Sequence, residues 1–172
     1  MEKSPKNYDV LIIGAGPAGA NAAISYKNLN PNLTVGLVDK AIFPRDKSCG
    51  DAIGPGVISA LKRFNNEHIL DGEPQVVSTT LYGPDNIGIQ NYIPEVKNKE
   101  DSIVYVIPRV DLDNRILDLA KECGVDVYEG YSFVDFTSNL DKSLNVQIKN
   151  ENENLEFLTK ILVGADGANS RI

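Results

Sequence analysis

Three glycines, Gly14, Gly16 and Gly19, form a G-x-G-x-x-G pattern within Gly14-Ala15-Gly16-Pro17-Ala18-Gly19, and the acidic residue Asp39 follows twenty positions beyond the last of them. Such a triplet does chemistry by what it omits. The first glycine permits a tight turn, the second lets the backbone approach a pyrophosphate, and the third lets a helix pack closely on a strand. A helix starting there adds unsatisfied N–H groups and the positive end of its dipole. Asp39 is suited to accept hydrogen bonds from ribose hydroxyls, and its charge would repel a 2′-phosphate at the same place. These residues predict retention of an adenosine pyrophosphate and disfavour a 2′-phosphorylated dinucleotide. They do not choose between nicotinamide and flavin dinucleotides, which present the same group.

The elements that must position this turn are legible on both sides of it. Residues 8–13 are a compact apolar run suited to a buried strand, and order is expected to begin near Tyr8, after a polar tail over residues 1–7. Residues 17–29 are alanine-rich, with Pro17 suited to the first helical position and Asn30-Pro31-Asn32 as a stop. Residues 34–38 supply a second strand that delivers Asp39 and completes a βαβ unit.

Residues 41–56 hold Pro44 and Pro55 and read as a long ordered loop, with a short helix at 57–64. Segments 76–82, 87–93 and 103–107 read as an antiparallel excursion. Helical periodicity returns over 111–123, with Leu112, Ile116, Leu119 and Ala120 on one face and Gly124 just past the end. Short strands follow at 125–128, 133–136, 144–148 and 155–158, and a buried-type strand at 161–163 runs into Gly164-Ala165-Asp166-Gly167. The expected fold is α/β, a Rossmann-like βαβ domain with a parallel sheet and a β-meander, plus part of an antiparallel β substrate subdomain. The first comprises residues 1–70 and 108–172, and the second residues 71–107.

Composition removes several functions. With 17 basic against 24 acidic residues, the formal charge of −7 argues against nucleic acid as a partner. No apolar run approaches the ~18–20 residues needed to span a bilayer. Cys49 and Cys123, the two cysteines, lie far apart with no companions of zinc-ligand spacing, so no metal site and a reducing, cytoplasmic setting are expected. His68 reads as an exposed helix-end residue, and Cys123 as buried packing.

Gly164-Ala165-Asp166-Gly167-Ala168-Asn169-Ser170-Arg171 resembles the G-A-D-G-x-x-S-x-x-R segment of the flavoprotein monooxygenase and reductase superfamily. Phe43-Pro44-Arg45-Asp46-Lys47-Ser48-Cys49-Gly50-Asp51 resembles the loop of geranylgeranyl reductases in which a C-G pair lies beside the flavin. Arg109, with Leu112-Asp113 and Leu117, is similar to the arginine-led helix start of the same superfamily. The resemblance covers nearly the whole chain in family order and implies FAD as cofactor. It adds Ala18, Lys40, Cys49, Gly50, Ala52, Arg109, Phe133 and Asp166 to Gly14, Gly16, Gly19 and Asp39 as expected cofactor contacts. The halogenase branch shares a Phe-Pro-Arg loop, but this chain has no tryptophan and lacks that branch's W-x-W-x-I-P motif.

The resemblance also implies an activity. The leading expectation is a reductase that passes hydride from reduced flavin to an alkene of an isoprenoid-like substrate, with NAD(P)H as a possible donor. A small-molecule or lipid-like substrate allows peripheral membrane contact. A flavin-dependent monooxygenase would share every glycine motif, and a non-catalytic FAD-binding fragment is a third alternative. The family continues into a further flavin-contacting segment and most of a substrate domain. The remainder of the enzyme is therefore expected outside this chain, and residues 1–172 alone are expected to bind FAD weakly or not at all.

Individual residues keep two readings each. Cys49 is a candidate catalytic group or a backbone contact to flavin, and Asp51 is a site acid or an exposed loop carboxylate. Arg45 and Lys47 offset cofactor phosphates or belong to a solvated loop. Asp166 faces the pyrophosphate crevice, caps a helix, or does both.

Overall fold

The computed structural model describes residues 5–92, 104–170 and 172. In chain order the strands and helices are β1 (Lys6–Ile13), α1 (Pro17–Leu29), β2 (Val35–Asp39), β3 (Ala52–Ile53), α2 (Pro55–Lys62), β4 (Ser78–Tyr82), β5 (Gly88–Tyr92), β6 (Tyr105–Val106), α3 (Arg109–Glu122), β7 (Asp126–Glu129), β8 (Ser132–Ser138), β9 (Leu144–Lys149) and β10 (Asn154–Gly164). They fall into two compact units, Met1–Asp46 with Asp113–Ile172, and Lys47–Leu112.

The first unit is built on a six-stranded sheet in the order β7-β2-β1-β10-β9-β8. Strands β7, β2, β1 and β10 are parallel, and β9 and β8 add an antiparallel meander. The central parallel strands are covered on both faces, which explains why Val10, Leu11, Ile12, Ile13, Val35, Leu37 and Val38 are all buried rather than alternating. Helix α1 adds Ala20, Ala23 and Ile24 to the buried set, and α3 adds Ile116, Leu117 and Ala120. The meander does alternate: Val146 and Ile148 of β9 join Tyr8, Leu11, Val38, Phe133 and Phe157 in one apolar cluster.

Two strand boundaries differ from the sequence expectation for one reason. Strand β1 starts at Lys6, not Tyr8, and the separate strands expected at 155–158 and 161–163 are one strand, β10. Lys6 to Ile13 pairs with Phe157 to Gly164, so the ladder runs straight through the polar pair Thr159-Lys160. Breaking it would orphan buried backbone groups at about 1–3 kcal/mol each, whereas strand propensity differences span only about 1 kcal/mol. Pairing wins. Thr159, 1% exposed, donates its hydroxyl to the Ile161 carbonyl at 2.9 Å, while Lys160 reaches outward to Asp9.

In the second unit, β4 and β5 form an antiparallel hairpin, as the sequence suggested, but β6 pairs with β3. Strand β3 and the first turn of α2 lie inside the stretch 41–56 that reads as loop. That loop is therefore shorter than expected, because Ala52-Ile53 finds its partner some fifty residues away at Tyr105-Val106. Pro55 takes the first position of α2. Ile53, Ile58, Leu61, Ile69, Leu70 and Ile107 are buried here, the last two of the α2 region lying on a 3-10 turn at Glu67–Leu70 that leaves His68 exposed. The ends of the expected strands at Ile93 and Ile103 lie outside the described residues.

Helix α3 begins at Arg109, two residues earlier than expected, and Gly124 beyond its end has φ +81°, the left-handed conformation that suits glycine. Cys123 is half-buried rather than fully packed.

Candidate functional site

The glycine turn links β1 to α1, and its three glycines have separable roles. Gly14 has φ +104°, and a Cβ there would lie 2.2 Å from the Ala165 carbonyl oxygen. A Cβ on Gly19 would lie 1.8 Å from the Gly14 carbonyl oxygen. Both glycines are thus required by the chain's own backbone, the first for the turn against β10 and the second for seating α1 on the strand end. Gly16 differs: among the described residues, the one atom near its missing Cβ is Nη2 of Arg45, at 3.2 Å. No backbone among the described residues closes off the glycine through which a pyrophosphate would approach.

The turn is tied down from neighbouring strand ends. Gly14 N–H donates to the Val38 carbonyl and Ala165 N–H to the Ile13 carbonyl, both at 2.7 Å. Asp39 does more than the sequence suggested. Its Oδ2 accepts the Ala15 N–H at 2.7 Å and its Oδ1 the Ala41 N–H at 2.8 Å, so the carboxylate braces both loops that it separates. Each oxygen keeps a lone pair for a ribose hydroxyl. Helix α1 starts at Pro17, with Gly16 as an N-cap that makes no side-chain hydrogen bond and no acidic residue in the first turn. Its first N–H groups and dipole end are available to an anion.

Among the described residues, Arg45 brings a cation to this turn. Nη1 of Arg45 pairs with Oδ2 of Asp113 at 3.3 Å, and the guanidinium lies over the Phe43 ring, 4.8 Å from its centroid. The Asp113 side chain is 0% exposed and that of Arg45 20% exposed. Arg45 is therefore fixed against the turn and is not a solvated loop residue. The loop is held again at Phe43, whose N–H donates to Oε1 of Glu129 at 2.7 Å. Sequence reasoning named Asp113 as part of the helix motif that follows Arg109 but gave it no role, and it passed over Glu129. For Asp113 a signal existed, since residues 113, 116, 117 and 120 follow helical spacing and place a carboxylate on an otherwise apolar face.

The remaining expected residues fall into two groups. Lys40 and Ala18 are exposed, Ala18 at the start of α1, whereas Phe133 packs in the apolar cluster. Asp166 follows Ala165 against Gly14, and the residues after it form a turn in which Ser170 N–H donates to the Gly167 carbonyl. Arg171 of that motif lies outside the described residues. In the second unit, Cys49, Gly50 and Ala52 are exposed, and Cys49, Asp51 and Arg109 make one cluster assembled by the β3–β6 pairing. Asp51, at φ 55°, accepts the Arg109 N–H on Oδ1 at 3.2 Å and the Ile107 N–H on its carbonyl at 3.0 Å. It anchors the start of α3. A backbone hydrogen bond from Asp51, then the Arg109 side chain, hold the Cys49 thiol below its ordinary pKa.

A parallel sheet whose first strand ends in this turn, with an open middle glycine, an uncapped helix start and an acid at the end of the second strand, defines a dinucleotide-binding α/β domain. The chain belongs to the FAD binding domain family, whose model matches residues 7–172. The turn fits that cofactor's adenosine pyrophosphate, because the Gly16 opening is where a side chain would otherwise intrude.

Among similar proteins, the menaquinone reductase of Mycolicibacterium smegmatis is 30% identical over 95% of this chain and 38% of its own length. The geranylgeranyl diphosphate reductase of Rhodobacter capsulatus is 29% identical over 96% of this chain and 39% of its own length. A solved p-nitrophenol 4-monooxygenase from Pseudomonas putida shares the fold, with a TM-score of 0.83 over 96% of this chain and 42% of that one at 14% identity. The chain thus spans about two fifths of the length of these proteins.

Proposed function

We propose that this chain is the cofactor-holding portion of an FAD-dependent reductase that transfers hydride to an alkene of an isoprenoid-like or other lipid-like substrate. The observation that carries the cofactor assignment is the opening at Gly16, faced by Arg45 and the uncapped start of α1. The named activities of the menaquinone and geranylgeranyl diphosphate reductases support the reaction and the substrate class. FAD supplies the hydride chemistry when bound.

The chain's own residues then divide the work. Arg45 and the first N–H groups of α1 offset the pyrophosphate charge, and Asp39 takes the ribose hydroxyls on its remaining lone pairs. Gly14, Ala18, Gly19, Lys40 and Asp166 line the adenosine and phosphate end. Gly50 and Ala52 offer backbone toward the flavin, with Arg109 beside them. Cys49 is proposed as the group that delivers a proton to the alkene carbon opposite the hydride, its thiolate then stabilised by Arg109 and the Asp51 N–H. NAD(P)H is the proposed hydride source. Residues 71–107 begin the substrate subdomain in this reading, and the exposed Val77, Leu81, Ile87 and Ile89 suit a lipid-like substrate or a membrane surface. No helix among the described residues is long and apolar enough to cross a membrane.

A monooxygenase is the second reading, favoured by the fold shared with p-nitrophenol 4-monooxygenase. Strict anaerobiosis separates the two in the complete protein. A reductase reoxidises its reduced flavin with an isoprenoid alkene without oxygen, and an oxygenase stalls until oxygen enters. Product formation that consumes oxygen stoichiometrically would overturn the proposal.

A further inference from the structure

Asp113 is a carboxylate with 0% side-chain exposure on the apolar face of α3. Burying a charge there opposes folding unless a partner neutralises it, and an apolar residue of similar size would pack at less cost. The partner explains its presence. Arg45 sits on a loop, and its long side chain would otherwise sample many rotamers. Two contacts restrain it: Nη1 against Oδ2 of Asp113 at 3.3 Å and Cζ over the Phe43 ring at 4.8 Å. With them in place, Nη2 lies 3.2 Å from where a Cβ of Gly16 would stand. A planar fork can serve a buried carboxylate and a phosphate together, which a lysine ammonium on one stem cannot do with the same geometry.

We infer that Asp113 is a positioning residue for the cofactor pyrophosphate, acting through Arg45 to hold a guanidinium N–H over Gly16 before the ligand arrives. The inference rests on the reading that a pyrophosphate lies on the Gly14–Gly19 turn. Preorganisation of this kind raises affinity by removing the ordering cost from the binding step.

The test is calorimetric titration of the full chain with ADP and, separately, with adenosine. Wild type, Arg45→Gln, Asp113→Asn and the double variant form a cycle. Asp113→Asn is expected to weaken ADP about tenfold while leaving adenosine unchanged, and to add nothing to the loss already caused by Arg45→Gln. Equal weakening of ADP and adenosine, or losses that add in the double variant, would show that Asp113 serves packing alone and would overturn the inference. Should Asp113→Asn fail to fold, Asp113→Glu keeps the charge and displaces the guanidinium by one methylene. It is expected to show the same ADP-selective loss, and unchanged ADP affinity would overturn the inference. A wild-type chain that binds ADP no better than adenosine would instead refute the underlying phosphate reading.

Discussion

Two glycine-bearing loops in this chain look alike in sequence and differ in what surrounds them. At Gly14 and Gly19 a methyl group would strike backbone at 2.2 and 1.8 Å, whereas at Gly50, Gly54 and Gly56 it would meet nothing within 4 Å among the described residues. The first loop is glycine-rich because its own chain leaves no room. Nothing in the described chain imposes glycine on the second. Gly16 stands between these cases: it belongs to the crowded loop, but what a Cβ there would meet among the described residues is the end of a side chain, Nη2 of Arg45 at 3.2 Å, and not backbone. Backbone crowding therefore marks glycines that build the fold, and a glycine faced by a side-chain end inside a crowded turn marks the one kept for a ligand.

The largest expected effect breaks the comparison at its crowded end. Gly19→Ala places a Cβ on the Gly14 carbonyl, a backbone atom that cannot step aside, and should cost about 3 kcal/mol or more of stability. Urea unfolding measures it, and a loss below about 1 kcal/mol would mean that α1 can lift off the strand.

The cysteines extend the contrast to reactivity. Hydrogen bonds from the Asp51 backbone and Arg109 lower the pKa of the exposed Cys49, while burial, the largest cause, raises that of half-buried Cys123. More thiolate and better access at pH 7 should let iodoacetamide label Cys49 at least about tenfold faster. Peptide mass mapping over time reads the ratio, and equal rates would contradict the described cluster. The smallest effect is expected at Gly50→Ala, within about 0.5 kcal/mol of wild type. A larger destabilisation by thermal melting would show that this loop is as constrained as the first.

Local signals explain what was readable in the sequence. Strand β1, the turn, α1 and β2 follow from apolar runs, a proline and three glycines within residues 8–39, because those signals are local, although Ala165 and β10 also hold Gly14 and β1 from far along the chain. Asp39 was legible as an acid at a strand end, but its two N–H tethers depend on how the flanking loops fold back. The pairing of Ala52-Ile53 with Tyr105-Val106 and the continuity of β10 through Thr159-Lys160 are long-range ladder effects that override local composition. Arg45 read equally well as solvated because its partner Asp113 is distant in sequence. The helical spacing of Asp113 was visible, but the cation that makes its burial tolerable was not.

The central claim, that Gly16 is held open for an adenosine pyrophosphate, is tested most directly by titrating ADP into wild type and Gly16→Val while following thermal stability. The extended backbone at Gly16, with φ −65° and ψ 179°, accepts a valine, and Arg45 is the side chain that must yield. The account predicts a loss of ADP affinity of at least about a hundredfold, with a fall in melting temperature well below that of Gly19→Ala. Unchanged ADP affinity in a folded Gly16→Val variant would contradict it.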